Sequence, residues 1–183
     1  MKLLLHTCCA PCLIYPLESL RKKGFEVSGL FYNPNIHPFS EYRERKRAVE
    51  EYSSKMGVEI FYPDYAPEEF FRAVNMMEEK NERCPICWYQ RFKFCAQVAR
   101  EIGAAYFSST LLVSPYQGQE LLNKIGFDVA GEEDVEFYYE DFRPGFKKAH
   151  DDAKTQGIYC QKYCGCIFSE IERFAKVKAA PPK

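Results

Sequence analysis

Nine cysteines dominate the chemistry open to this 183-residue chain. They fall into three groups of three: Cys8, Cys9 and Cys12; Cys84, Cys87 and Cys95; Cys160, Cys164 and Cys166. A thiolate is both a nucleophile and a soft metal ligand, and a reducing cytoplasm rarely permits structural disulfides, so metal binding or redox chemistry is the expected use. Groups so far apart in sequence predict one site assembled by folding. Cys84-Pro85-Ile86-Cys87 has the two-residue spacing of a ligand pair and is expected at a helix start, where the positive end of the helix dipole would lower both thiol pKa values. In Cys164-Gly165-Cys166 the glycine lets neighbouring thiolates turn toward one centre.

The first group joins a vicinal pair to Cys9-Ala10-Pro11-Cys12, and this spacing after a strand and before a helix also resembles a thioredoxin redox motif. A dithiol enzyme needs one such pair, which would leave Cys84, Cys87, Cys164 and Cys166 without a task. Seven thiols, from Cys8, Cys9, Cys12, Cys84, Cys87, Cys164 and Cys166, exceed the four taken by one tetrahedral zinc or one 4Fe-4S cluster. A cluster with a second metal, or a cluster beside a redox-active pair, uses both their number and their placement. Cys95 lies on an apolar helical stripe and is expected in the core. His6, at a strand end, is expected to support the site or to pack, whereas His37 and His150 read as loop and helix-surface residues.

The elements that must position these groups alternate. Residues 3 to 5 form an apolar strand; the stripe of Leu13, Leu17 and Leu20, closed by Gly24, predicts a helix beginning near Pro16. Glu26 to Tyr32 is a second strand ending at Asn33-Pro34-Asn35, and Ser40 is the expected N-cap of a helix to Met56. Val58 to Tyr62, Ala105 to Thr110 and Val135 to Tyr139 complete five strands. Helices are expected from Pro67, from Pro85 to Gly103, over 115 to 125, and twice more near the C-terminus. The pattern predicts an α/β fold, a Rossmann-like, mainly parallel five-stranded sheet flanked by helices. Ligands of such sheets bind beyond the carboxyl ends of the strands, where the first cysteine group, Asn33-Pro34-Asn35 and Ser108-Ser109-Thr110 should converge.

A hydrophobic content of 46% and one uniform pattern predict a single α/β metal-binding domain over residues 1–178 with a disordered tail at 179–183. The net charge of −1 excludes a protein that is basic all over, so nucleic acid must be met by a local patch. Arg43 and Arg47, one helical turn apart, are candidates for phosphate contacts, with Lys22, Lys23, Lys147 and Lys148 as possible extensions. The apolar run Leu3-Leu4-Leu5 is far too short for a secretion signal or a membrane span, which predicts a cytoplasmic protein without a membrane partner.

Taken with their order, these motifs resemble the QueH-type epoxyqueuosine reductases, the DUF208 family, from Leu3 to Phe168. The likeness rests on His6-Thr7-Cys8-Cys9-Ala10-Pro11-Cys12, Phe31-Tyr32-Asn33-Pro34-Asn35-Ile36, Arg83-Cys84-Pro85-Ile86-Cys87 with Arg91, Ser109-Thr110-Leu111, and Tyr163-Cys164-Gly165-Cys166. It implies the fold of the PP-loop nucleotide hydrolases (the HUP fold), with cysteines where those proteins carry a glycine-rich phosphate loop. It implies reduction of epoxyqueuosine to queuosine at the tRNA anticodon wobble position, the last step of queuosine synthesis. The cofactors would be a 4Fe-4S cluster and an adjacent mononuclear iron, without cobalamin, and the partners a tRNA carrying epoxyqueuosine and an external electron donor. Cys8, Cys9 and Cys12 would be catalytic as well as metal-binding. Tyr32, Asn33, Asn35, Trp88, Arg91 and Tyr163, with Arg43 and Arg47, would meet the substrate, the aromatic rings stacking on the flipped base. Cys160 stands where the family pattern has arginine and is not expected to be a ligand. Readings from other classes are a PP-loop-like tRNA thiolase, a thioredoxin-like dithiol oxidoreductase and a zinc-stapled tRNA-binding module.

Overall fold

The computed structural model describes residues 1–175; the expected tail at 179–183 lies outside them. In chain order the elements are β1 (Lys2–His6), α1 (Ala10–Lys22), β2 (Glu26–Leu30), α2 (Phe39–Met56), β3 (Ile60–Phe61), α3 (Pro67–Ala73), α4 (Lys80–Glu101), β4 (Tyr106–Ser109), α5 (Gln119–Glu133), β5 (Glu136–Phe137), α6 (Phe146–Thr155) and α7 (Ile167–Phe174). The five strands form one sheet in the order β3-β2-β1-β4-β5, with every pairing parallel. The order reverses between β1 and β4. At such a switch point the connections leave on opposite faces and open a crevice beyond the strand ends.

Leu3, Leu4 and Leu5 have no exposed surface, as a central strand covered on both faces requires. On one side α1 packs against α2 and α6; on the other α4 packs against α5 and crosses β1 and β4. The edge strands are shorter than the sequence predicts, two residues each.

The starts of both cysteine-bearing helices differ from expectation. Pro11, not Pro16, occupies the first turn of α1, which begins at Ala10 and carries Pro16 in its interior. Likewise α4 begins at Lys80, so Pro85 stands inside it. In each case proline removes one donor, leaving the carbonyl four residues earlier, that of Cys12 or Asn81, without its helical partner while the flanking turns hold the helix. Ser40 falls within α2 behind an N-cap at Pro38. A short 3-10 turn, Thr110–Val113, precedes α5, which begins four residues later than expected and runs to Glu133. No described helix is long and apolar enough to cross a membrane.

Candidate metal centre

The loop between β1 and α1 carries Cys8 and Cys9, the latter as N-cap, and Cys12 follows within the first helical turn. Their three sulfurs lie within 4.8 Å of one another, all buried, and can hold a metal ion. The Sγ atoms of Cys8 and Cys9 are 3.7 Å apart, close to the roughly 3.8 Å edge of a tetrahedron whose metal–sulfur bonds are about 2.3 Å. The position is fixed from across the switch point: the Cys8 amide donates to Thr110 Oγ1 at 3.0 Å, and that hydroxyl donates to Cys8 Sγ at 3.3 Å. Hydrogen bonds from the two neighbouring thiols, then the charge of Arg91 and the Thr110 hydroxyl, bring the Cys8 pKa well down. Burial raises that of Cys9, and sharing a site with Cys8 and Cys9 raises that of Cys12. Cys8 is therefore the first of the three to ionise.

Cys84 and Cys87 project from α4 toward the Cys164–Gly165–Cys166 turn, close enough that the charges of Cys164 and Cys166 bear on both thiols. Cys87 and Cys166 share a small apolar cluster with Phe70 and Val74. Cys164 lies at the exposed edge and feels the charge of Cys8, so all seven expected ligands face one region. The expected dipole effect on the α4 pair is absent: both stand beyond the first turn, and burial pushes Cys84 up to about 11 and Cys87 up to about 12. Cys95 is buried in the core against the Leu4 carbonyl, and Cys160 is partly buried against the core with its thiol on the Ile158 carbonyl; neither thiol feels the charge of another cysteine.

Three buried guanidinium groups back the thiols: Arg83, whose charge bears on Cys84 and Cys166, Arg91 and Arg45. Arg91, 2% exposed, donates to Asn33 Oδ1 at 2.8 Å and His6 Nε2 at 3.2 Å, and its Nη1 is 3.8 Å from Cys87 Sγ. Asn33 is held in turn by the Thr7 carbonyl. His6 is buried, its Nδ1 is 2.9 Å from Ser109 Oγ, and burial followed by the Arg91 charge lowers its pKa to about 3, so the ring is neutral. Arg45, 1% exposed, pairs with Glu41 at 2.7 Å and donates to the carbonyls of Tyr163 and Cys164 at 3.1 and 2.8 Å. It fastens the last cysteine turn to α2. Gly165 there has φ +146°, and a Cβ would stand 3.1 Å from Asn35 and Ile36, so the turn requires glycine.

Of the residues expected to meet substrate, Asn33 and Arg91 are buried supports of the thiols, and Asn35 is buried with Oδ1 unpartnered. The stacking expected of Tyr32 and Trp88 is not offered, because both are buried: Tyr32 stacks on Phe94 at 4.0 Å and donates to Glu69, while Trp88 packs beneath Gly118. Tyr163 is only partly buried, lying over the Arg45 guanidinium at 5.4 Å. Arg43 and Arg47 are exposed on α2. Thr110, expected on the rim beside the first cysteine group, is found there, whereas Arg45 and Gln161 carry site contacts that the sequence reading did not assign. Arg45 was legible in principle, since Tyr42, Arg45, Val49 and Tyr52 share the buried stripe of α2.

A family model described as epoxyqueuosine reductase QueH matches residues 3–172. A protein of Dehalococcoides mccartyi with that name is 40% identical over 176 residues, 96% of either chain. Another, from Thermotoga maritima, is 36% identical over 181 residues, 94% of this chain and 92% of that one. Among solved structures, a predicted subunit of tRNA methyltransferase from Methanocaldococcus jannaschii matches 84% of this chain and 74% of its own with a TM-score of 0.57. At 11% identity that likeness is one of fold. The family model spans nearly all of the chain, and the two curated relatives align along almost their full lengths: the chain belongs to the epoxyqueuosine reductase QueH family.

Proposed function

We propose that this chain, acting in the cytoplasm with residues 1–178 as one catalytic unit, reduces epoxyqueuosine at the wobble position of a tRNA anticodon to queuosine. Two electrons from an external donor and two protons are consumed: both carbon–oxygen bonds of the epoxide break, a carbon–carbon double bond forms, and the oxygen leaves as water. Support comes above all from the buried Cys8, Cys9 and Cys12 trio at the switch point of the sheet, the place where this fold class binds ligands. When bound, a 4Fe-4S cluster supplies electrons singly and an adjacent iron supplies a Lewis acid, with no need of cobalamin.

The donor set fits that pair of groups. Sulfurs crowded within 4.8 Å, as in the trio, suit a single ion. A cluster places its ligand sulfurs on different irons, and the looser set of Cys84, Cys87, Cys164 and Cys166 suits it. Arg91 and Arg45 then balance the negative charge that several thiolates bring into a dry site, and neutral His6 orients Arg91 without adding charge. Cys164 and Tyr163 mark the open side on which substrate arrives, with Arg43 and Arg47 offering contacts to the tRNA backbone.

Anaerobic purification with metal and sulfide analysis tests this. The protein should be brown, with acid-labile sulfide and more than about four irons per chain, and should convert epoxyqueuosine-bearing tRNA when given a reductant. Replacing Cys84, Cys87, Cys164 or Cys166 should remove sulfide, whereas replacing Cys8, Cys9 or Cys12 should remove only the extra iron; activity should vanish in all seven. Stoichiometric zinc without sulfide would overturn the proposal.

A further inference from the structure

Gln161 lies on the irregular segment between α6 and α7, more than a hundred residues from the trio in sequence, yet its side chain ends on it. Its Nε2 is 2.9 Å from Cys9 Sγ and 3.8 Å from Cys12 Sγ, and its Oε1 is buried without a hydrogen-bond partner. A buried orphaned carbonyl is costly. The segment carrying it is pinned on both sides: Tyr159 donates to Glu41, and Arg45 holds the carbonyls of Tyr163 and Cys164. The amide is thus delivered to the sulfurs by a fixed backbone.

A half-turn about the last side-chain bond exchanges the amide nitrogen and oxygen without changing the shape of the group. An oxygen facing two thiolates, the ionised form in which these sulfurs would bind metal, is repelled unless a cation stands between them. Three thiolates leave a tetrahedral ion one open corner, and the Gln161 amide already lies beside two of the three sulfurs. We propose that the Gln161 amide oxygen is the fourth ligand of the metal held by Cys8, Cys9 and Cys12, an inference that rests on the metal-binding reading of the trio. A neutral amide binds a metal more weakly than a thiolate does. It closes the corner to water and yields it to a better oxygen donor, which makes Gln161 the residue that decides what reaches the metal.

The test uses Co2+ as the probe in the full-length chain. The sulfur-to-cobalt absorption band that Cys8→Ala abolishes reports the trio. In Gln161→Leu the cobalt affinity read from that band should fall by about tenfold or more, and azide should bind the cobalt more tightly than in the parent. Gln161→Glu keeps an oxygen ligand but has no N–H to donate, so it should retain or raise the affinity. An unchanged cobalt affinity in the leucine variant would overturn the assignment. So would a glutamate variant as weak as the leucine one, because the amide would then be acting as a hydrogen-bond donor to sulfur. If the parent itself shows no trio band, the metal reading falls and this assignment with it; a normal parent band beside an unaffected leucine variant sinks the assignment alone.

Discussion

A buried guanidinium bonded to an amide, a neutral imidazole and a cysteine sulfur, as Arg91 is, has no carboxylate partner among the described residues, so thiolates ionised by a bound metal would balance its charge. Arg91→Met should therefore weaken iron binding by about tenfold or more in a folded protein. Arg91→Lys, which keeps the charge but loses the fork, should recover part of it, with iron content after anaerobic gel filtration as the readout. Cys95→Ala should keep its full metal and activity and lose only packing, about 1 kcal/mol by denaturant unfolding. His37 is 7% exposed, neither ring nitrogen makes a hydrogen bond of good geometry among the described residues, and burial, only partly offset by the Pro34 backbone, lowers its pKa. The unfolded chain then takes up a proton first as pH falls through about 6.5, so this residue makes stability decline toward acid by at most about 1.4 kcal/mol per pH unit. His37→Phe, which can keep the stacking on Phe71 at 4.6 Å, should be less sensitive than the parent between about pH 6.5 and 5.5. That seven cysteines would meet in one region was readable from their spacing, because ligand chemistry constrains residue type so tightly. Thr110 was readable only as a place on the same rim, and Gln161 not at all: a lone hydroxyl or amide acquires a role only once the chain brings a sulfur against it.

At the scale of elements, alternation of apolar strands with helical stripes was enough to identify all five strands and the helices that cover them, because each face must bury its apolar side. Helix starts were harder. Proline marks a first turn in most helices, yet α1 and α4 carry it inside, and the misplaced start of α4 led to an expected dipole effect on Cys84 and Cys87 that burial reverses. The edge strands β3 and β5 came out shorter than their apolar runs because each pairs on one side only, so side-chain burial continues where the ladder has stopped. Close packing also overrides propensity in α5: a Cβ on Gly126 would stand 2.2 Å from the Phe137 ring. Gly126→Ala should thus lower stability by about 1–3 kcal/mol despite the better helix former, as thermal or urea unfolding would register.

For the molecule as a whole, a net charge near zero means that tRNA must be held by few, placed cations. The two candidates on α2 are not equivalent: Arg47 is tied to Glu44 at 2.8 Å and lies 3.8 Å from Glu51, whereas Arg43 is exposed and makes no ion pair among the described residues. Arg43→Ala should weaken tRNA binding and reduce the slope of log affinity against log salt by about 0.7–0.9, with Arg47→Ala changing it less; equal effects would show that the glutamates release Arg47 on binding. The five-stranded topology was legible because crossover handedness and burial leave few alternatives, but the contact between the two chain ends was not, since no local pattern encodes it. That contact governs when the site comes into being. The loop after β1 carries three thiols, but the Gln161, Cys164 and Cys166 segment beside them, clamped by Arg45, follows 152 residues after Cys9 and so is made well after them. Until that segment has been made, Gln161 cannot stand beside Cys9 and Cys12, and the three thiols are open to oxidation. The site is therefore completed only once residues 161–166 have been made and have folded back, which makes this turn the piece that closes it.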